Sequence, residues 1–253
     1  MSRQTPFPSD LDLPTSSDVA DSADAGQLRI GGFVPLTTID YPGELAAVVF
    51  LQGCPWRCRY CQNGALIDPS ATPVIAWSQI RAFLERRRGL LDAVVFSGGE
   101  PTLQSALASV MTEVRGLGFK VGLHTAGPAP KRLARLLPLL DWVALDIKAL
   151  PEDYPALTGV PRSGEAAWES LSLIQASGIP LEVRTTIMPH WAAPHLETLA
   201  TALAQRGVRH YAVQACDTRH ALDPLLGPSV VPLSRLAAAI DPASFERFLL
   251  RER

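Results

Sequence analysis

Short apolar runs recur along the chain, separated by segments with helical periodicity. The first run, residues 46–51, reads Ala-Ala-Val-Val-Phe-Leu, which is typical of a strand buried on both faces. The others cover residues 93–96, 120–124, 142–147, 181–186 and 210–214. Helices are predicted between them, over residues 78–88, 102–117, 130–137, 163–177 and 194–206.

Strands that alternate with helices require crossover connections and therefore a parallel sheet. Six such units are fewer than the eight of a closed barrel, so the pattern favours an α/β fold with an open, partial (β/α)6 TIM-like barrel; a doubly wound sheet is the alternative. Residues 30–43 are predicted to form a hairpin or loop before the first core strand. Residues 232–240 and 243–250 are predicted to form closing helices.

The first 26 residues are rich in Pro, Ser, Asp, Thr and Ala and poor in large apolar side chains. Such a segment cannot bury enough surface to offset the entropy of ordering, so it is predicted to be a disordered tail. Residues 27–253 are predicted to form a single domain, with a core at 45–215 and closing helices within 232–251.

The chain has a net charge of −2 and is 47% apolar. It lacks the concentrated basic face that nucleic acid or an anionic membrane surface requires. It shows neither an apolar span of ~20 residues nor the signal pattern of a secreted protein. A cytoplasmic protein is expected, and a reducing compartment keeps cysteines unpaired.

Three of the four cysteines, Cys54, Cys58 and Cys61, lie within eight residues just after the first core strand. Disulfides would leave one sulfur unpaired, and a tetrahedral zinc site needs a fourth ligand that no nearby Cys or His supplies. Three thiolates on a four-iron cluster leave one iron open to a ligand. The cluster is therefore favoured over zinc. The fourth cysteine, Cys216, is interpreted as an inert thiol, because one cysteine cannot build a second cluster.

Glycines and charges gather at the predicted carboxyl ends of the strands. The second core strand ends in Gly98-Gly99-Glu100-Pro101. Paired glycines allow positive φ and close backbone approach to a ligand. Such a turn often does no more than connect a strand to the next helix.

Three charged side chains are candidates for a ligand site at the same edge. Asp146 and Lys148 are two residues apart at a strand end, so alternation points them to the same side. Lys148 is one of only three lysines. Arg184 lies inside an apolar strand and needs an anion or an acid nearby; Asp146 is a purely structural candidate for that partner.

These motifs resemble the radical S-adenosylmethionine (radical SAM) superfamily. The Cys-x-x-x-Cys-x-x-Cys spacing with Tyr60 before the last cysteine matches the cluster motif, and the Gly-Gly-Glu-Pro turn matches the second motif. Asp146-Ile147-Lys148 and Arg184 match elements of the glycyl-radical activating enzymes. Residues 28–214 together look like the anaerobic ribonucleoside-triphosphate reductase activating protein family, which is close to the pyruvate formate-lyase activating enzymes.

The resemblance implies a 4Fe–4S cluster on Cys54, Cys58 and Cys61 and S-adenosyl-L-methionine (SAM) on its open iron. The residues that it implies for SAM binding are Tyr60, Gly98, Gly99, Glu100, Pro101, Thr125, Asp146, Lys148 and Arg184, with His124 as an additional candidate. Relatives usually have Asp-Thr-Asn-Gly where this chain has His124-Thr125-Ala126-Gly127, so a monovalent cation site is not expected. No catalytic side chain is implied beyond the cluster and SAM.

The activity implied is that of a radical SAM oxidoreductase. It cleaves SAM reductively to a 5′-deoxyadenosyl radical, which generates a glycyl radical on a partner, anaerobic ribonucleoside-triphosphate reductase. A low-potential electron donor such as flavodoxin or ferredoxin is implied as well. The alternatives are a radical SAM enzyme acting on another glycyl-radical enzyme or a small molecule, and a non-catalytic zinc-binding module.

Overall fold

The computed structural model describes residues 27–189, 191–228 and 231–252, so the predicted N-terminal tail lies outside the described residues. These residues form one sheet of eight strands in which every strand is hydrogen-bonded to its neighbours in sequence. The strands are β1 Ile30–Thr37, β2 Ala46–Leu51, β3 Ala93–Gly98, β4 Lys120–Thr125, β5 Trp142–Asp146, β6 Leu181–Ile187, β7 His210–Ala215 and β8 Arg247–Arg251. The α-helices are α1 Trp77–Glu85, α2 Leu107–Gly116, α3 Pro130–Leu136, α4 Tyr154–Thr158, α5 Ser163–Ser177, α6 Ala193–Gln205 and α7 Leu233–Ala237.

The sheet is open and mostly parallel, which confirms the predicted fold class. Strands β2 to β8 are parallel. Residues 30–43, predicted as a hairpin or loop, instead contain one strand, β1, which pairs with β2 in the antiparallel sense. All six predicted core strands are present. In the described part of the chain no helix is long and apolar enough to cross a membrane.

The two faces of the sheet carry different side chains. One face packs against the helices: strand residues such as Leu123 and Val183 share the main core with Val110 of α2 and Leu171 of α5. The opposite, inner face has a smaller apolar cluster that contains no helix residue. Side chains alternate between the two faces along each strand. The polar residues that share the inner face are therefore close to one another, and they lie above that apolar cluster.

The C-terminal segment corrects one prediction. Residues 243–250 were expected to form a helix, but they enter β8, which pairs with β7. Phe245 and Phe248 pack against Tyr211 of β7. Extended pairing satisfies backbone groups that the edge of β7 would otherwise expose. The predicted helix at 232–240 is present only as the short α7.

The segment after β3 corrects another. The helix predicted from residue 102 begins instead as a 3-10 turn, Pro101–Leu103, and α2 starts at Leu107. Thr102 bonds back to Glu100 through both its N–H and its hydroxyl group. This local bonding competes with helix formation and keeps the turn separate from α2.

Candidate functional site

The cysteine loop is held in place from outside by backbone hydrogen bonds. The N–H of Arg57 donates to the carbonyl of Thr158 at 2.9 Å, and that of Arg59 donates to the carbonyl of Leu157 at 3.2 Å. Both acceptors belong to α4, a helix that the hydrophobic pattern did not predict. The loop therefore depends on α4, which follows β5.

The segment after β7 supports the other side of this loop. Asp223 forms a 2.7 Å ion pair with Arg59, and its N–H donates to the Arg59 carbonyl at 2.9 Å. The side-chain amide of Gln62 donates to the carbonyl of Asp217 at 3.2 Å. Elements from both ends of the parallel sheet thus meet at the three cysteines.

None of the three loop cysteines is in a disulfide, and Cys58 is buried while the other two are partly buried. Burial raises the pKa of Cys54 to about 12 and also raises the pKa of Cys58. The ammonium of Lys148 opposes both shifts. The loop thiols are thus free and lie near the buried ammonium of Lys148. This environment suits a prosthetic group that is bound by thiolates and carries a net negative charge.

Among the residues that the structure describes, no three His, Cys, Asp or Glu side chains converge on a point where one metal ion would bind. Zinc requires such convergence, because its ligand atoms all lie within about 2.3 Å of one ion. A four-iron cluster takes each thiolate on a different iron and does not require it. The three thiols fit the cluster as a donor set.

The glycine turn at the end of β3 packs directly against the cysteine loop. A Cβ on Gly98 would lie 2.3 Å from the backbone nitrogen of Leu51, and one on Gly99 would lie 2.5 Å from the carbonyl oxygen of Gly53. The N–H of Glu100 donates to that same carbonyl at 2.8 Å. The two glycines thus let the β3 turn and the start of the cysteine loop touch through their backbones.

The carboxylate of Glu100 is fully buried and bonded within the protein. One oxygen accepts from the N–H and hydroxyl groups of Thr102 and from the hydroxyl of Thr125, and the other accepts from the N–H of Ala126. These four internal donors make the Glu100 carboxylate a link between the β3 turn and the end of β4, and the hydroxyl of Thr125 is part of the same network.

Asp146 and Lys148 point to the same side, as predicted, and form an ion pair of 3.2 Å. The Lys148 ammonium lies 5.4 Å from the centre of the Tyr60 ring, and only 6% of the residue is exposed. Burial lowers the pKa of Lys148, but Tyr60 and Asp146 outweigh this effect and raise it above its ordinary value, so the side chain stays charged. This pair lies directly beside the cysteine loop.

Arg184 lies opposite Asp146 in the β5–β6 register, yet its acidic partner is a different residue. Its Nε donates to Glu182 at 2.7 Å, which corrects the expectation that Asp146 is its structural partner. The two residues are one side-chain repeat apart on β6 and therefore share the inner face. Glu182 also accepts from Arg251 of β8 at 2.8 Å.

The outer nitrogens of Arg184 lack acceptors within the described residues. Nη2 is buried without a partner, and the only contact of Nη1 is the Nε2 of His124 at 3.4 Å. That Nε2 lies 2.8 Å from the carbonyl oxygen of Asp40, which can only accept, so Nε2 carries the proton. It cannot accept from Arg184 as well, and the arginine keeps donors for an anion.

His124 lies on the inner face, where its contacts are with other parts of the protein. Burial and the nearby Arg184 lower its pKa to about 3, so the ring is neutral at ordinary pH. It also packs edge-on against Trp142, over which Arg184 lies with its guanidinium carbon 5.4 Å from the ring centre.

The structure thus brings together the cysteines, the glycine turn, Asp146 and Lys148 at the carboxyl ends of β2, β3 and β5. Arg184 lies in the middle of β6 on the inner face, opposite Asp146 in the β5–β6 register. Sequence reasoning missed Glu182 and Arg251. The role of Glu182 could have been predicted, because an acid two residues from a buried arginine lies on the same face of the strand. The role of Arg251 could not have been predicted, because its segment was expected to be helical.

Comparison with known proteins gives the site its context. The family model of the radical SAM superfamily matches residues 48–203. A Methanocaldococcus jannaschii protein named as a glycyl-radical enzyme activating enzyme is 29% identical over 215 residues, which are 77% of this chain and 82% of that protein. The pyruvate formate-lyase-activating enzyme of Clostridium pasteurianum is 29% identical over 167 residues, 64% of this chain and 69% of the enzyme.

Solved structures share the fold. The crystal structure of Streptococcus suis SuiB bound to the precursor peptide SuiA superposes with a TM-score of 0.65 at 15% identity, covering 81% of this chain and 48% of SuiB. SuiB bound to S-adenosylmethionine gives 0.62 at 14% identity, covering 79% and 48%. The chain therefore spans about half the length of these structures. Radical SAM proteins use a 4Fe–4S cluster and SAM, and since the superfamily model matches more than half of this chain, the protein belongs to the radical SAM superfamily.

Proposed function

We propose that the protein activates a glycyl-radical enzyme, and that its partner is anaerobic ribonucleoside-triphosphate reductase. The observation that carries the activity is the backbone contact of the three-cysteine loop with the Gly98-Gly99 turn. A buried donor of Arg184 without a partner among the described residues supports binding of an anionic group as well. The names of the two relatives support the activating role, because the first is matched over most of both chains. The choice of the reductase rests on the resemblance of residues 28–214 to the family of its activating proteins.

Each of the chain's own residues would have a separate role. Cys54, Cys58 and Cys61 would hold the cluster, beside the contact of Lys148 with the Tyr60 ring. Lys148, Asp146 and Arg184 would orient the amino and carboxylate groups of SAM, since they offer opposite charges on neighbouring strands. When bound, the reduced cluster supplies the electron that splits SAM into methionine and a 5′-deoxyadenosyl radical.

The polypeptide substrate has to reach this edge, and the open sheet permits it. Among residues 27–252, as far as the structure describes them, the strands run from β1 to β8 without a pairing that closes the ring. A glycine on a loop of a partner protein requires a wider entrance than a small molecule does. This openness favours the activating role over the small-molecule alternative.

The experiment is anaerobic reconstitution followed by mixing with separate partner enzymes. With dithionite and SAM, the protein is expected to release methionine and to produce a glycyl-radical signal in electron paramagnetic resonance on the reductase. Pyruvate formate-lyase is the matched partner control, and the Cys58→Ala variant is the matched protein control. SAM cleavage without a radical on either partner would favour the small-molecule alternative, and failure to bind iron at all would overturn the activity.

The buried thiols also predict how cluster assembly depends on pH. Because burial raises the pKa of Cys54 to about 12 and raises that of Cys58, both are protonated in the cluster-free protein at neutral pH. Iron binds thiolates, so ligation must release these protons and becomes more favourable as pH rises, by about tenfold per pH unit for each thiol.

This is measured by following iron uptake and proton release in weakly buffered, anaerobic solution at several pH values. The Cys216→Ala variant is expected to give the same profile as the unmodified chain. Iron uptake independent of pH, with no proton released, would show that the thiols are already ionised before the cluster binds.

A further inference from the structure

Glu182 is a buried carboxylate that serves two arginines through one oxygen. Its Oε1 accepts from Nε of Arg184 at 2.7 Å and from Nη2 of Arg251 at 2.8 Å, and only 3% of the residue is exposed. The neighbouring cations lower its pKa despite burial, which raises it, so the carboxylate is ionised at neutral pH. Two positive charges thus face one negative charge on the inner face.

An arginine that meets a carboxylate usually forms two parallel hydrogen bonds with it. Arg184 forms one, through Nε, and its Nη2 stays buried without a partner among the described residues. Arg251 occupies a second lone pair of the same oxygen and brings the second cation. The acid is therefore shared between two cations, and its attraction for the outer donors of Arg184 is weakened.

We propose that Glu182 and Arg251 are positioning residues that orient Arg184 and keep its outer N–H groups available to the carboxylate of SAM. This inference rests on the proposed function, in which Arg184 addresses SAM. Glu182 holds the Arg184 guanidinium over Trp142 by accepting from its Nε, while the charge of Arg251 on the same oxygen weakens the attraction of the acid for the Nη2 of Arg184. Strand β8 thereby contributes to a cofactor site made by β2 to β6.

The test is a double-mutant cycle on SAM binding, measured by calorimetry on the reconstituted, full-length protein under anaerobic conditions. Arg251→Met is expected to raise the Kd for SAM about tenfold, because Arg184 then turns its outer nitrogens onto Glu182. In the Arg184→Lys background the same change is expected to have no further effect, since Arg251 acts only through Arg184. Arg251→Lys, which keeps a charged donor for Glu182, is expected to restore binding.

Thermal unfolding separates this role from a merely structural one. Arg251→Met is expected to leave the melting temperature unchanged or raised, because Glu182 keeps Arg184 as its partner. Arg247→Met is the matched control: it removes an exposed arginine from the same strand and should leave the Kd unchanged.

Four results would overturn the inference: an unchanged Kd in Arg251→Met, equal losses in Arg247→Met, additive losses in the two backgrounds, or failure of Arg251→Lys to restore binding. If the unmodified protein does not bind SAM, the proposed function fails. If it binds SAM and Arg184→Lys weakens that binding while the cycle is additive, only the positioning inference fails.

Discussion

Alanine at Cys54, Cys58 or Cys61 is expected to abolish assembly of the iron–sulfur cluster. In the proposed site each thiolate would supply one iron with its only protein ligand, so no remaining sulfur of the loop could replace it. After anaerobic reconstitution, iron and acid-labile sulfide should fall to background, and the visible absorbance of the cluster should be lost.

The control for this experiment is within the chain. Cys216 follows β7 and is partly buried, like Cys54 and Cys61, so Cys216→Ala removes a comparable thiol. It is expected to leave the iron content unchanged. If Cys216→Ala loses iron while one of the loop variants keeps it, the ligand assignment is wrong.

Gly98→Ala is expected to have the second largest effect, on both stability and iron content. The new Cβ would lie 2.3 Å from the nitrogen and 2.4 Å from the oxygen of Leu51, both rigid backbone atoms, and φ at this position is +115°. Contacts this short force β2 and β3 apart at the start of the cysteine loop. We expect a loss of more than about 4 kcal/mol in the free energy of unfolding, with failure to retain the cluster.

Gly89→Ala separates the steric clash from the cost of positive φ. Gly89 has φ of +76°, and a Cβ there meets no atom within 4 Å. It should lose only about 1–2 kcal/mol, the ordinary cost of a left-handed conformation, and keep its iron. Urea unfolding of the cluster-free proteins measures both changes, and equal losses in the two variants would show that the contact with Leu51 is relieved without cost.

Much of the fold follows from local pattern. The run at residues 46–51 coincides with β2, because an uninterrupted apolar segment between turn residues can be buried only inside the sheet. The cysteine spacing and the Gly-Gly-Glu-Pro turn likewise identify their part of the site, since they are contiguous in sequence. The side-chain ion pair of Asp146 and Lys148 follows from alternation along one strand.

The interactions that could not be predicted from the sequence connect distant segments. Glu100 is one example, because two of its four donors come from Thr125 at the end of β4 and Ala126 just after it. The helical periodicity of residues 243–250 was overridden by the unpaired edge of β7. The hydrogen bond of Arg251 to Glu182, 69 residues away in sequence, is therefore a tertiary contact that hydrophobic periodicity cannot predict.

During synthesis the cysteine loop leaves the ribosome long before the segments that hold it. Its partner Asp223 is 164 residues beyond Arg59. At ~5–20 residues per second, this delay is roughly 10–30 seconds. The carbonyls of Leu157 and Thr158, about 100 residues beyond the loop, are synthesised earlier than Asp223. The loop therefore gains its backbone support in two stages, and iron delivered before the second would meet an incompletely supported site. We expect cluster insertion to follow synthesis of Asp223.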